Sequence, residues 1–190
     1  MIEADEAAAL SQAVAAVAPV HGVIVGKPDD RATWRADCLE TASEGQRAAA
    51  AAVIAGWDRI AYCRSVYARR VDSDAETARL QFMTTGAGMA MTYQEKFAQA
   101  QAVQSMGETA ANALSRSDRE AQFPTLSASV GIEAPTLWEC AALILTRYAA
   151  FAASSLMIER ARLAGKASIK AAATVDDVRA AYGAIVWPTR

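Results

Sequence analysis

The sequence predicts a mainly α-helical protein, a helical bundle with a small β-hairpin near its N-terminus. Hydrophobic residues make up 53% of the 190 residues, and much of this fraction is alanine, the strongest helix former. Long segments space their larger apolar residues three and four positions apart, which is the period of one helix face. The stretch from residue 20 to 39 departs from this pattern, because it clusters β-branched residues and then alternates in polarity.

The first two predicted elements are a thin amphipathic helix and the hairpin. Residues 3–18 carry acidic side chains in the first turn, where they favour a helix N-terminus, and Pro19 ends the helix. Residues 20–25 are largely β-branched, residues 26–30 have the composition of a turn, and residues 33–39 alternate. An isolated hairpin is marginally stable in water, so we expect it to pack on a helix or to join the sheet of another chain.

Two capping boxes mark the start of longer helices. Ser43 and Gln46 fit the pattern in which the cap and the third helical residue satisfy each other's backbone N–H groups. The helix that they begin is expected to bend or stop at Gly56, which weakens its middle. Thr136 and Glu139 repeat the pattern before the longest predicted helix, which runs to about residue 168.

The remaining segments are placed by the same reasoning. The run from Asp72 to Asp74 predicts a second helix start, and residues 89–106 have helical periodicity. Residues 107–123 are polar and less periodic, and Phe123 before a proline marks a boundary. Further predicted elements are a short helix at residues 126–132 and a last helix that begins with Thr174 and Asp177.

The run from Thr84 to Gly88 is the clearest break in the helical pattern. It holds two glycines one residue apart, Gly86 and Gly88, which permit backbone angles that other residues resist. We therefore predict a hinge at Gly86 and Gly88, which divides an N-terminal unit, residues 1–83, from a C-terminal helical unit, residues 84–190.

Charge and composition argue against several classes of function. Nineteen basic and 21 acidic residues give a net charge of −2, whereas a dedicated nucleic-acid-binding protein usually carries a basic face. The apolar run at residues 141–158 is interrupted by Arg147, Ser154 and Ser155, so no membrane span is predicted. The acidic start lacks the features of a secretory signal, which predicts synthesis and retention in the cytoplasm.

No catalytic, cofactor or metal site is predicted. The Gly86–Gly88 pair lacks the preceding strand and third glycine of a dinucleotide loop, because Met91 stands at the required position. His21 is the only histidine, and neither Asp29 with Asp30 nor the acidic run at 72–74 matches a calcium loop. The three cysteines are far apart and are expected to act as small buried hydrophobes, with an intermolecular disulfide as the alternative; they are Cys38, Cys63 and Cys140.

Tryptophan and β-branched side chains supply the candidate contacts with a partner. Trp57 and Trp138 lie on helical stripes and are predicted to be core residues. Trp34 and Trp187 are candidate partner contacts, because tryptophan is enriched at interface hot spots. Val23 and Val25 of the hairpin are added as candidate contacts, since the strand could pair with a strand of another chain.

Two blocks of sequence resemble proteins of tailed bacteriophages and prophages. The first consists of PVHGVIVG at 19–26, DRATWRAD at 30–37 and QRAAA at 46–50, and it is similar to a segment of tail-associated proteins. The second begins with TTGAGMAMTYQEK at 84–96, continues through FP at 123–124 and IEAPTL at 132–137, and reaches the C-terminus. It is similar to the helical C-terminal region of tail-fibre-type and tail-assembly proteins.

The resemblance implies a structural protein of the virion, in the tail, collar, baseplate or fibre-associated connector. Its implied partners are other virion proteins and further copies of this chain, and its implied location is the virion after synthesis in the host cytoplasm. It transfers no active-site residues. Fibre proteins usually have a long β-rich shaft or a receptor-binding tip, which this chain lacks. The alternatives are a tail-fibre assembly chaperone that leaves the particle, an enzyme without a recognisable site, and a host helical adaptor.

Overall fold

A computed structural model describes residues 4–27, 30–83 and 86–189. Within those ranges the fold is mainly α-helical, with a two-stranded antiparallel hairpin near the N-terminus, which confirms the predicted fold class. In chain order the elements are α1 (Ala4–Ala15), β1 (Val20–Ile24), a turn of 3₁₀ helix (Arg31–Thr33), β2 (Arg35–Cys38), α2 (Glu44–Gly56), α3 (Arg59–Leu80), α4 (Ala87–Met106), α5 (Glu108–Ala113), α6 (Arg116–Gln122), α7 (Pro124–Ser127), α8 (Leu137–Ala171) and α9 (Val175–Gly183).

The chain forms two compact units whose boundaries fall within α3 and near the end of α8. Unit 1 comprises Met1–Arg70 and Lys166–Ala184, and unit 2 comprises Val71–Gly165 and Ile185–Arg190. The sequence placed its division after residue 83, at the predicted glycine hinge. Gly86 has a φ of 126°, a backbone conformation that favours glycine, whereas Gly88 lies in the first turn of α4. Thr84 and Thr85 lie outside the described residues, and hinge motion at the glycines stays a prediction.

Unit 1 is organised around the hairpin and two helices. Strands β1 and β2 pair from Val20 opposite Cys38 to Ile24 opposite Arg35, with an irregularity between Val20 and Gly22. Both α1 and the hairpin pack with α2, so the hairpin is stabilised within its own chain. The buried side chains that they share are Leu10, Val14, Ala18, Trp34, Ala50 and Ile54.

A buried ion pair joins α1 to α3 inside unit 1. The Glu6 side chain is 1% exposed, and its Oε1 lies 3.0 Å from Nε of Arg59, whose side chain is 12% exposed. Trp57 Nε1 also donates to Glu6 Oε1, at 3.4 Å. Because a buried carboxylate is costly without a partner, Arg59 is required for Glu6 to occupy this position.

Unit 2 has its main core where α4, α5, α7 and α8 meet. Phe123 lies directly before α7 and is buried with the side chains of these helices, and Trp138 is partly buried against them, as predicted for a core residue. The buried residues of this core are Ala100, Val103, Ala111, Phe123, Leu126, Leu137, Cys140, Ala141 and Ile144.

The capping predictions are confirmed. The Ser43 hydroxyl accepts from the Gln46 backbone N–H, and the Gln46 side chain accepts from the Ser43 backbone N–H. The Glu139 backbone N–H donates to Thr136 Oγ1 at 3.2 Å, and Thr136 N donates back to Glu139 Oε2 at 3.1 Å. Thr174 opens α9 in the same way. Helix α2 ends at Gly56, where the sequence predicted a bend or stop.

The structure corrects two local predictions and adds two short helices. Asp72 and Asp74 do not start a helix, because α3 runs through them, with Val71 and Ala75 buried on either side. The stretch from 107 to 123, which is polar and less periodic in sequence, contains two short helices, α5 and α6. The short helix predicted at 126–132 lies earlier, as α7, and the chain after it forms a turn in which Gly131 has a φ of 81°.

Candidate protein-binding surface

Helix α8 carries an exposed apolar stripe within unit 2. Ala149, Ala152, Leu156 and Leu163 are separated by three, four and seven positions, so their side chains share one helix face. All four are exposed, and Leu156 and Leu163 have exposed fractions of 53% and 54%. We call these four residues the α8 stripe; among the described residues, nothing in unit 2 covers it.

The opposite side of α8 is packed within unit 2. Ile158 is fully buried against Ala75 and Ala78 of α3. Trp187 and Phe82 are partly buried against this small cluster. Helix α8 is therefore held on one side by α3, which leaves the α8 stripe pointing away from that contact.

Further exposed apolar side chains lie on α4 and beside α8. Met91 is 72% exposed, and Met89 and Tyr93 have more than a third of their surfaces exposed. Phe97 of α4 stacks on Tyr148 of α8 with 3.8 Å between ring centroids, which fixes the two helices against each other at this point. Unit 2 thus presents apolar surface on two adjacent helices.

Trp34 is placed differently from its predicted role as a partner contact. It is 6% exposed in the core of unit 1, and its Nε1 donates to the Lys27 backbone oxygen at 2.9 Å. Val23 and Val25 are partly buried against the same core. In this conformation Trp34 offers a partner little surface, and the alternating pattern of β2 reflects packing within the chain.

Trp187 and Trp57 each pack against a core of this chain. Trp187 is partly buried against Ala75, Ala78 and Ile158, so only part of its ring is accessible to a partner. Trp57 is partly buried against the core of unit 1, in agreement with its predicted core position. Val186, next to Trp187, is 83% exposed.

A polar cluster in unit 2 has residue types that occur in active sites. Lys96 Nζ lies 2.8 Å from both Ser129 Oγ and Glu133 Oε1, and Arg147 Nη1 lies 2.7 Å from Glu133 Oε2. Lys96 lowers the pKa of the Glu133 carboxyl through its hydrogen bond, and Ser129 and Arg147 add to this effect while burial opposes it. Lys96 and Arg147 both donate to Glu133, so the charged groups of the cluster are engaged with one another. The cluster is suited to fastening the loop after α7 onto α4 and α8.

The described residues contain no group of three or more histidine, cysteine, aspartate or glutamate side chains that could hold a metal ion. Cys63 and Cys140 are buried and Cys38 is partly buried, as expected for small hydrophobes. Burial raises the pKa of the Cys140 thiol, which reduces its reactivity. His21 is exposed in β1.

Helix α8 is long and apolar enough to cross a membrane by its length and composition. Its most apolar window of 18 residues has a mean hydropathy of 1.5, and 17% of that window is buried. Arg147, on this helix, is ion-paired with Glu133. The sequence predicted no span because polar residues interrupt this run, and the absence of membrane contact stays a prediction.

Comparison with models of protein families, with curated proteins and with solved structures gave no significant match.

Sequence periodicity places three residues of the α8 stripe, Ala152, Leu156 and Leu163, on one apolar face, but it does not show their exposure. Leu145, Ala152, Leu156 and Leu163 form an apolar stripe in the sequence, next to a second stripe through Ile144. Periodicity shows that side chains share a face, but it does not show which of two apolar faces is covered. The structure covers Ile144 and Ile158 and leaves Leu156 and Leu163 exposed.

Proposed function

We propose that this protein acts by binding other proteins, and that the α8 stripe of unit 2 packs on a helix of a neighbouring subunit. The observation that carries the proposal is the pair of half-exposed leucines, Leu156 and Leu163, on a face that also presents Ala149 and Ala152. Alternating spacings of three and four residues are those of helices that pair side by side. The first expected partner is therefore the same stripe on a second copy of this chain.

Burial of the stripe supplies a physical reason for association. Complete burial of a leucine side chain stabilises by roughly 1.5–3 kcal/mol, and Leu156 and Leu163 each have about half of their surface left to bury. Two leucines alone do not make a stable interface, which usually buries more than about 1,000 Å². The exposed methionines and Tyr93 of α4 provide additional apolar area in the same unit.

Packing on a protein explains α8 better than passage through a membrane. An arginine at the centre of a membrane-spanning helix costs about 3 kcal/mol on insertion scales. Arg147 lies within the apolar run and is held by Glu133 in the loop before α8. Insertion of this run would have to break that ion pair or bury it, whereas docking of a helix on the α8 stripe leaves it in place.

The resemblance to tail-fibre-type and tail-assembly proteins supports a place for this chain in a tailed-phage particle. We propose a structural virion protein of the tail, collar, baseplate or fibre-associated connector, acting by packing and without catalysis. The capped α8 and the hairpin packed within its own unit suit a subunit that keeps its fold in an assembly. A tail-fibre assembly chaperone would use similar surfaces but would be absent from the finished particle.

Self-association is tested by sedimentation velocity of the full chain at micromolar concentration. Wild type is expected to sediment as an oligomer, and the double variant Leu156→Lys with Leu163→Lys is expected to sediment as a monomer. The matched control is Val17→Lys, which makes the same type of change at a 38%-exposed side chain of unit 1. A compact wild-type monomer, or equal dissociation by both variants, would contradict the role of the stripe.

Location is tested by quantitative proteomics of purified particles from a host that produces the protein. A structural component is present at a fixed copy number in every preparation and cross-links to neighbouring subunits through unit 2. A chaperone is present in the infected cell but absent from the particles. Absence from the particles would contradict the structural role and favour the assembly chaperone.

A further inference from the structure

A groove in unit 1 lies between β2 and α2, separate from the α8 stripe. Its volume is about 610 Å³. The floor is apolar and includes Ala36, Ala51 and Ile54, and three arginines line it, Arg31, Arg35 and Arg47. No aspartate or glutamate is among the lining residues, so the groove combines an apolar floor with a cationic rim.

Two of the arginines are held in position by backbone oxygens. Arg31 Nη1 donates to the carbonyls of Ala55, at 3.3 Å, and of Trp57 at the end of α2. Arg47 Nη2 donates to the Leu39 carbonyl at 2.9 Å and Arg47 Nε donates to the Ala42 carbonyl at 3.2 Å. These bonds fix the guanidinium groups but leave their charges without a neutralising carboxylate among the described residues.

Arg35 differs from the other two arginines. It lies in β2 and is exposed, and no described side chain pairs with it. A guanidinium presents its N–H groups in a planar fork that matches a carboxylate. Arg35 is therefore the cation of the groove that is most available to a ligand.

The groove also borders a free strand edge. The sheet has only two strands within the described residues, so the side of β2 away from β1 has no strand beside it. An unpaired edge offers a row of backbone N–H and C=O groups that an extended peptide can pair with. A polypeptide strand can form hydrogen bonds with these backbone groups, whereas a nucleic acid would contact only the arginines.

We propose that the groove between β2 and α2 binds an extended acidic segment of a partner protein, which adds a strand beside β2. Its carboxylates meet Arg35 and the outer N–H groups of Arg31 and Arg47. Its alternate apolar side chains lie on Ala36 and Ala51. This site is independent of the α8 stripe, because its lining residues all belong to unit 1.

The probe is a fluorescein-labelled peptide of about six residues, the usual strand length, with alternating glutamate and valine. Binding to the full chain is followed by fluorescence anisotropy. A peptide with lysine in place of glutamate serves as the charge control. We expect saturable binding of the glutamate peptide that weakens as salt is added, and at least about tenfold weaker binding of the lysine peptide.

Two variants test the position of the site. Arg35→Glu and Ala51→Glu are each expected to weaken binding of the glutamate peptide by at least about tenfold. The matched control is Ala52→Glu, because Ala52 is the next residue of α2, is also exposed and does not line the groove. Glutamate is a good helix former, so both α2 variants are expected to fold like wild type, which circular dichroism checks.

Cys38 gives a second readout that does not depend on affinity. It lines the groove and is partly exposed, whereas Cys63 and Cys140 are buried. Saturating glutamate peptide should slow alkylation of Cys38, measured by mass spectrometry, and should leave the other two thiols unaffected.

The proposal would be overturned if Ala51→Glu and Ala52→Glu weakened peptide binding equally, or if Cys38 were not protected at saturation. Tighter binding of single-stranded DNA than of the peptide, lost in Arg35→Glu, would overturn it in favour of a polyanion site.

Discussion

Units 1 and 2 have similar helical composition but distribute their apolar side chains differently. Of the large hydrophobic side chains that are exposed in the described residues, all except Val17 and Ile24 lie in unit 2. In unit 1 the larger apolar side chains are buried in a core that includes Leu10 and Trp34. An ion pair is buried in the same unit. The difference indicates that large apolar residues are mostly enclosed in unit 1, whereas in unit 2 a share of them is exposed and includes the surface that we propose for association.

The strongest test of this contrast is Trp34→Ala in unit 1. Removal of a fully packed aromatic side chain costs about 3–5 kcal/mol, and the variant also loses the hydrogen bond to the Lys27 carbonyl. Urea denaturation followed by circular dichroism should show the loss. Trp187→Ala is the control in unit 2, where the ring is only partly buried. If Trp34→Ala lowers the free energy of unfolding by less than Trp187→Ala does, the core of unit 1 is not the more tightly packed of the two.

Arg59→Ala is expected to have the next largest effect. It leaves the Glu6 carboxylate buried without its partner, which costs roughly 3 kcal/mol, and hydrogen exchange should speed up in α1 and α2. The double variant Glu6→Leu with Arg59→Met removes both charges and should recover most of the stability. If the double variant is no more stable than Arg59→Ala, the cost comes from packing and not from the uncompensated charge.

Glu133→Gln tests the polar cluster of unit 2. The folded-state pKa of Glu133 lies below its ordinary value of 4.5, chiefly because of Lys96. The stability that it contributes is therefore complete above the unfolded pKa and is lost as pH falls through the folded pKa. At pH 7 the variant should cost about 1.5 kcal/mol, since water screens a partly exposed side chain. Thermal midpoints of wild type and variant should converge as the pH is lowered from the ordinary pKa of 4.5 through the lower folded-state pKa of Glu133.

Thr136→Ala should cost about 1 kcal/mol, because it removes the cap of α8 and leaves the Glu139 backbone N–H without its acceptor. Thr174→Ala removes the equivalent cap of α9 in unit 1 and serves as the matched variant. Chemical denaturation measures both. An unchanged midpoint for Thr136→Ala would mean that α8 does not depend on this cap.

Leu156→Ala should change the stability of the monomer by less than about 0.5 kcal/mol, as expected for an exposed side chain. The same variant should weaken self-association, which sedimentation at several concentrations measures. The contrast between the units therefore predicts that Trp34→Ala lowers the stability of the fold, whereas Leu156→Ala weakens self-association. A large loss of monomer stability in Leu156→Ala would place this residue in a core.

Sequence predicted the elements whose signals are local. The capping boxes at Ser43 and Thr136 and the helix start at Thr174 each depend on residues three positions apart, and the structure has all three. Gly56 stops α2 because glycine weakens a helix wherever it lies. The cap at Ser115, whose hydroxyl accepts from the Asp118 N–H, carries the same kind of signal and would have located α6.

The predictions failed where one local sequence pattern is compatible with two different structures. Asp72, Ser73 and Asp74 have the composition of a helix start, but polar residues are equally common on the solvent face of a continuing helix. Asp72 there pairs with Arg162 at 2.7 Å. Trp34 is a typical interface residue and also a typical core residue, and only the positions of α1 and α2 decide between them. The cationic groove joins residues from β2 and α2, which no sequence spacing reveals.

The alanines of the α8 stripe set how close a partner can approach. Helix axes in proteins lie about 8–10 Å apart, and the distance depends on the side chains at the crossing. Ala149 and Ala152 form the N-terminal half of the α8 stripe, with the smallest side chain that a helix carries without loss of propensity. A neighbouring helix can therefore settle at the short end of that range over these two residues. In a helix pair built on the α8 stripe, replacing either alanine by a larger residue is therefore expected to increase the distance between the two helix axes.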